Sequence, residues 1–244
     1  MTEKSFSRTE ALFGAEAMRR LSSARVAVFG LGGVGGYVTE ALARAGIGAL
    51  DLIDGDVVDE TNINRQIFAL QSTVGRAKTE VAAERVLQIN PKCDVKTHMI
   101  FYTEKNSDVL DFSAFDYVVD AIDTVSGKIA IAVNAQKNGV PAISCMGTGN
   151  KLDATAFGVA DIYSTSVCPL ARVMRRELKK RGVEKLKTVY SEELPQDGAA
   201  AENSDGKHVP ASNSFVPPVA GFIIAGEVIK DVAAKKSEKA DLRR

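Results

Sequence analysis

The sequence predicts an α/β fold: a Rossmann-like, doubly wound, mostly parallel sheet with helices on both faces. Two observations carry that prediction. Short apolar runs rich in Val, Ile, Tyr and Phe alternate with amphipathic helical stretches up to residue 146, the pattern of successive βα units. The first run, RVAVFG, also passes straight into a glycine-rich turn, GLGGVG, that opens a helix. That is the strand-turn-helix arrangement of a nucleotide-binding sheet.

In chain order, strands are expected at 25–30, 50–54, 95–100, 117–121 and 141–146, and helices at 9–20, 33–45, 78–89 and 126–138. In the last of these helices Ile129, Ile131, Ala132, Val133 and Ala135 form an inward face, which leaves Lys128, Asn134, Lys137 and Asn138 outside. Past Gly147 a strand-like run, TAFGVADIY, precedes a basic helix near 170–181. Residues 191–214 carry almost no large apolar side chain, so they are expected to form a mobile active-site or crossover loop. The apolar stretch 215–229 is interrupted by Pro217, Pro218 and Glu227 and reads as a buried or interface helix rather than a membrane span. The charged tail 235–244 is expected to fray. Residues 1–244 are read as one domain, with a nucleotide-binding core at 25–146 and a substrate and dimer region at 147–234 that completes the sheet.

Composition narrows the function classes. The 31 basic and 31 acidic residues balance, which excludes a protein held on nucleic acid or membrane by bulk charge but leaves room for a local basic patch. Cys93, Cys145 and Cys168 are odd in number and far apart, so they build neither a disulfide framework nor a pair of CxxC zinc knuckles. Reduced thiols and an N-terminus without a signal-like apolar run point to a cytoplasmic address. His98 and His208 stand in unrelated contexts and suggest no metal pair.

The candidate site begins at the turn, where Gly30, Gly32 and Gly35 have the G-x-G-x-x-G spacing, with Gly33 between them. Glycine tolerates positive φ and lets a phosphate approach the backbone, and a helix N-terminus favours negative charge. Asp54 ends the second strand, 19 residues after Gly35, where a carboxylate accepts hydrogen bonds from ribose hydroxyls. Further on, Asn62, Arg65 and Lys78 supply donors and two positive charges that can clamp a polyphosphate during displacement at phosphorus. Asp56 and Gln66, in the same runs, join this set. A dinucleotide dehydrogenase needs no such clamp; it needs a hydride-transfer acid, which the sequence does not offer. Asp123 follows the strand DYVVDA at the carboxyl edge, placed either to hold Mg²⁺ on the phosphates or to cap the next helix.

The runs GLGGVG, DGDVVDETNINRQ, the Lys78 region and AIDT together resemble the adenylating domain of the ubiquitin-activating (E1-like, MoeB/ThiF/HesA-type) superfamily. The resemblance implies that Asp54 binds ribose, that Asn62, Arg65 and Lys78 bind the triphosphate of ATP, and that Asp123 holds the metal. It implies attack of a carboxylate on the α-phosphate, giving an acyl-adenylate and pyrophosphate. Arg8 falls where such enzymes send an arginine into the neighbouring subunit, which implies a homodimer.

The second half separates the branches. GTGNKLDATAFGVADIYSTSVCPLARVMRREL and SFVPPVAGFIIAGEVIKD resemble the tRNA threonylcarbamoyladenosine dehydratases, with Ala154 in place of an expected proline. The alternative within the superfamily, an adenylyltransferase for a ubiquitin-like sulfur carrier, usually has two zinc CxxC pairs that this chain lacks. A silent nucleotide-binding regulator is a third reading. The dehydratase resemblance implies ATP as cosubstrate with Mg²⁺, tRNA carrying the modified base as substrate, and room for a sulfurtransferase partner. Eight basic and two acidic residues between 172 and 187 would attract the RNA backbone. Arg172, Arg175, Arg176, Lys179 and Lys180 are the expected contacts, with Lys151, just after the fifth strand, also facing the substrate. The alternative is a solvated amphipathic helix with Val173, Leu178 and Leu186 packed inward. Cys168 is expected to be structural rather than catalytic.

Overall fold

The computed structural model describes residues 4–198, 200–202 and 208–234. Two helices, α1 (Ser7–Phe13) and α2 (Ala15–Ser23), precede five strands, β1 (Arg25–Phe29), β2 (Ala49–Ile53), β3 (Asp94–His98), β4 (Tyr117–Asp120) and β5 (Ala142–Cys145). Between these strands run α3 (Gly35–Arg44), α4 (Lys78–Ile89) and α5 (Val125–Lys137). Then come β6 (Phe157–Asp161), α6 (Pro169–Lys180), β7 (Lys187–Ser191), the short strands β8 (Ala200–Glu202) and β9 (His208–Pro210), and α7 (Val216–Ala234). The seven-stranded sheet has the order β3-β2-β1-β4-β5-β7-β6, parallel except where β6 pairs antiparallel with β7. The chain order reverses between β1 and β4, and ligands of such sheets bind in the crevice at the carboxyl ends of those strands.

The residues of β1, β2 and β4 are almost all buried, as expected of parallel strands covered on both faces. Val26, Val28, Leu50, Leu52, Val119 and Ile143 share one core with Val38 and Leu42 of α3 and Ile224 and Val228 of α7. The apolar stretch at 215–229 is thus a helix buried along one side, with Phe222 half exposed on the other. Among the described residues no helix is long and apolar enough to cross a membrane.

Several expectations are corrected. The helix at 9–20 breaks at Gly14, whose ψ of 160° leaves the helical range. The helix at 33–45 starts two residues later, at Gly35, because the turn occupies Gly33 and Val34. The basic helix ends at Lys180, in line with the expected 170–181; Gly182 has φ of 69°, and the chain returns as β7, an unexpected strand between β5 and β6. Ser191, read as the start of a loop, is the last residue of that strand. Within 191–214 the pair β8 and β9 is antiparallel, while residues 199 and 203–207, and the tail 235–244, lie outside the described residues.

A further correction concerns Lys128, expected on the outer face of α5. The first two turns of α5 are buried nearly all round, and Lys128 has no exposed surface. Its Nζ donates to Asp120 Oδ1 at 3.0 Å, Asp120 Oδ2 at 3.1 Å and the Ile122 carbonyl at 2.9 Å. The Ser144 hydroxyl donates to Asp120 Oδ2 as well, at 2.5 Å. One buried ion pair therefore ties together β4, β5 and α5. Removing one member leaves a buried charge without its partner, which costs about 3–5 kcal/mol. Lys128→Met is expected to lower the unfolding free energy by about that amount in urea titrations followed by circular dichroism; a loss below about 1 kcal/mol would show that the pair is solvated.

Candidate active site

At the end of β1 the backbone turns through Gly30, with φ of 87°. A Cβ at Gly30 would lie 2.7 Å from the Ala121 carbonyl oxygen, and one at Gly35 would lie 1.7 Å from the Gly30 carbonyl oxygen. Only glycine lets β1, the first turn of α3 and the exit of β4 approach so closely. A Cβ on Gly32 would stand 3.8 Å from the Gln66 amide nitrogen, and one on Gly33 3.2 Å from both the Arg65 stem and Pro217 of α7. The turn thereby gathers four segments: the 60–66 run, the exit of β4, the start of α3 and the start of α7.

Asp54 braces the turn. Its Oδ2 accepts from the Leu31 amide at 2.7 Å and its Oδ1 from the Asp56 amide at 2.8 Å. Burial pushes the Asp54 carboxyl above its ordinary value, against the pull of Lys78 and the two amides. A carboxylate has about four lone-pair sites, so two remain for the hydroxyls of a ribose. Lys78 opens α4 and is only 6 % exposed. Its Nζ donates to Asp56 Oδ2 at 2.8 Å, and its amide to the Asp56 carbonyl at 3.1 Å. Asp56 itself is exposed, so the ammonium is fixed in place by a partner that water or an incoming phosphate can replace.

The run ETNINRQ folds as a 3₁₀ turn, Glu60–Asn62, closed by reciprocal hydrogen bonds between Asp59 and Asn62. Asn62 and Gln66 are buried. Arg65 donates from Nη1 to the Thr61 carbonyl and to Asn64 Oδ1, both at 3.0 Å, and burial lowers its pKa. Among the described residues no carboxylate pairs with Arg65. A half-buried guanidinium held only by neutral oxygens is suited to receive an anion.

Asp123 lies in the loop from β4 to α5, whose N-cap is Thr124, so Asp123 does not cap the helix. It is exposed and accepts no hydrogen bond among the described residues. A hard, free carboxylate oxygen is the kind of ligand Mg²⁺ takes. Among the described residues there is no cluster of three or more His, Cys, Asp and Glu that could hold a metal by itself.

The structure thus brings together the glycine turn, Asp54, Asp56, Asn62, Arg65, Gln66 and Lys78, with Asp123 on the adjoining loop. It does not bring Arg8 to them within one chain. Arg8 is exposed on α1, and Phe6, two residues earlier, packs at Gly46 ahead of β2, on the amino edge of the sheet. The basic helix runs Pro169–Lys180, with Ala171, Met174 and Leu178 inward. Val173 is only partly buried, and Leu186 is buried beyond the helix. Arg172, Arg176, Lys179 and Lys180 are exposed, whereas Arg175 donates to the Thr165 carbonyl at 2.9 Å. Glu177 takes hydrogen bonds from Lys180, Arg181 and Arg176, which hold its carboxyl down at about 2. Lys187 is drawn away from this face by Glu227 and Asp231 of α7, at 3.1 and 2.6 Å. All three cysteines are free and buried; burial pushes the Cys145 thiol up to about 12. The Asp120–Lys128–Ser144 cluster escaped sequence reasoning, and its one signal was an acid at the end of an otherwise apolar strand.

Among known proteins, the ThiF family matches residues 6–243. The chain belongs to the ThiF family. It is 42 % identical over 238 residues to the tRNA threonylcarbamoyladenosine dehydratase of Bacillus subtilis, covering 93 % of this chain and 94 % of that protein. To the Escherichia coli protein of the same name it is 36 % identical over 255 residues, covering 96 % and 95 %. The crystal structure of that E. coli protein in complex with ATP superposes with a TM-score of 0.86 at 35 % identity, covering 99 % of this chain and 97 % of that one.

The position of Asp54 in this ThiF-family site yields a prediction with a sign. The charged carboxylate is the better acceptor for ribose hydroxyls. Its raised pKa means that protonation sets in at a higher pH than for an ordinary aspartate. Asp54→Asn is expected to weaken ATP binding by about tenfold at neutral pH. The gap between wild type and variant should close as the pH falls through the raised pKa, as read by calorimetric titration.

Proposed function

We propose that this chain is an ATP-dependent dehydratase that cyclises N6-threonylcarbamoyladenosine in tRNA. The observation that carries the reading is the likeness to tRNA threonylcarbamoyladenosine dehydratases over nearly the whole chain, second half included. The site supplies the parts such a reaction needs. Amides at the start of α3, with Lys78, Arg65 and Asn62, hold the triphosphate, and Asp54 holds the ribose. Asp123 would hold Mg²⁺, which when bound neutralises charge on the phosphate oxygens.

In the first step an oxygen of the threonyl carboxylate attacks the α-phosphorus and the α–β bridge breaks, releasing pyrophosphate. Lys78 and Arg65 stabilise the charge that develops on the departing phosphates. In the second, the carbamoyl group of the same side chain attacks the acyl carbon and the bond to AMP breaks. The lost carboxylate oxygen leaves on AMP and the carbamoyl group gives up an N–H proton, so the nucleoside is lighter by one water. Because nucleophile and acyl carbon belong to one side chain, orientation alone can supply about 7–11 kcal/mol. No protein thiol is needed, in keeping with three buried cysteines.

Two further parts belong to the proposal. The enzyme is a cytoplasmic homodimer, in which a second copy delivers Arg8 to the triphosphate. The exposed face of α6, with Arg172, Arg176, Lys179 and Lys180, docks the RNA backbone beside the ATP site. Overall neutrality keeps affinity for other nucleic acids low.

Incubation with ATP, Mg²⁺ and tRNA bearing the threonylcarbamoyl group is expected to give a nucleoside lighter by one water in mass spectrometry. An unchanged nucleoside, with adenylation of a carrier protein ending in Gly-Gly, would favour the sulfur-carrier reading instead. Reversal of Arg172, Arg176 and Lys179 to Glu is expected to weaken tRNA binding by more than tenfold and flatten its salt dependence, with ATP affinity unchanged.

A further inference from the structure

The loop that leaves β5 at the carboxyl edge, residues 147–153, carries two polar groups that the fold does not satisfy. Lys151 is 4 % exposed. Its Nζ donates to the Glu193 backbone carbonyl, and among the described residues no carboxylate pairs with it. The nearby Glu193 carboxylate is committed elsewhere: its oxygens accept from the Leu152 and Asp153 amides, each at 2.9 Å. The neighbouring Asn150, at φ of 57°, has an enclosed Oδ1 that accepts no hydrogen bond among the described residues. A buried ammonium without an anion, next to a buried acceptor without a donor, is costly unless a ligand completes both. Burial lowers the Lys151 pKa, opposed by Cys168 and Glu193.

The same loop is wired to the phosphate site. Asn150 donates its amide to the Ala211 carbonyl at 2.8 Å, and the Lys151 carbonyl accepts from Asn213 Nδ2 at 2.8 Å. Asn213 Oδ1 accepts from the Val216 amide at the head of α7 at 2.8 Å, and Asn64, beside Arg65, donates to the Ser212 carbonyl at 3.1 Å. A lysine this deeply buried suits a small group inserted into the site better than an RNA backbone passing over the surface. A bare phosphate would answer only the ammonium, whereas a carboxylate adjoining an N–H donor answers both groups.

We propose that Lys151 is the counter-ion of the substrate's own carboxylate: it receives the threonyl carboxylate of the modified base and orients it toward the α-phosphate. This rests on the dehydratase reading, and it makes Lys151 the residue that tells the modified loop from an unmodified one.

The test uses the full chain and three anticodon stem-loops, without ATP: unmodified, threonylcarbamoylated, and the methyl ester of the latter. Fluorescence polarisation of the wild type is expected to show about tenfold or greater preference for the free acid over the ester. Lys151→Met should bind acid and ester alike, while keeping wild-type affinity for ATP and for the unmodified loop; Lys151→Arg should recover part of the preference. Wild type that does not separate acid from ester, or Lys151→Met that separates them by the wild-type factor, overturns the proposal. The dehydratase reading fails separately, by absence of turnover on the free-acid tRNA.

Discussion

Where β1 ends, the backbone leaving β4 stands so close that a side chain at Gly30 would collide with the Ala121 carbonyl. The layout of the whole crevice depends on this approach. It brings the start of α3 against the loop that carries Asp123. The Leu31 amide, held by Asp54 at 2.7 Å, locks the turn to the end of β2. Behind it, Lys128 and Asp120 fasten β4 to the first turn of α5, so both walls of the crevice are tied to the sheet. Preorganisation of this kind is what lets fixed donors stabilise charge without rearranging.

Charge at the site is graded by how far each cation is paired. Lys78 keeps an exposed partner in Asp56, Arg65 rests on neutral oxygens, and Lys151 meets only a carbonyl among the described residues. These are three cations at three levels of neutralisation, and each can gain by meeting an anion. The strongly paired acids, such as Glu177 under three cations and Glu40 between Arg44 and Arg85, stand on other elements. A chain with no net charge can thus hold cations of graded pairing at one crevice, beside the acids Asp54, Asp56 and Asp123.

How much of this was legible in the sequence depended on whether the signal was local. Strands β1 to β5 announced themselves because apolar runs sit between glycine turns and amphipathic helices, and the nucleotide set because GLGGVG, Asp54 and NINR are contiguous motifs. β7 was hidden: KTVYS has a lysine and three hydroxyls, and its burial rests on partners far along the chain, Ala160 for Thr188 and α7 for Lys187. Lys128 was misplaced for a related reason, since a helix buried nearly all round has no outer face for a pattern to reveal. Lys151 was seen as a substrate contact, but its burial, and the diversion of Glu193 onto two amides, became visible only in three dimensions.

The central claim is that the carboxylate activated at this crevice belongs to the modified RNA base. The most direct measurement is exchange of labelled pyrophosphate into ATP, which requires reversible formation of the acyl-adenylate. Exchange that depends on tRNA carrying the threonylcarbamoyl group is the predicted result. Exchange with unmodified tRNA, or with a Gly-Gly carrier protein in place of RNA, would contradict it.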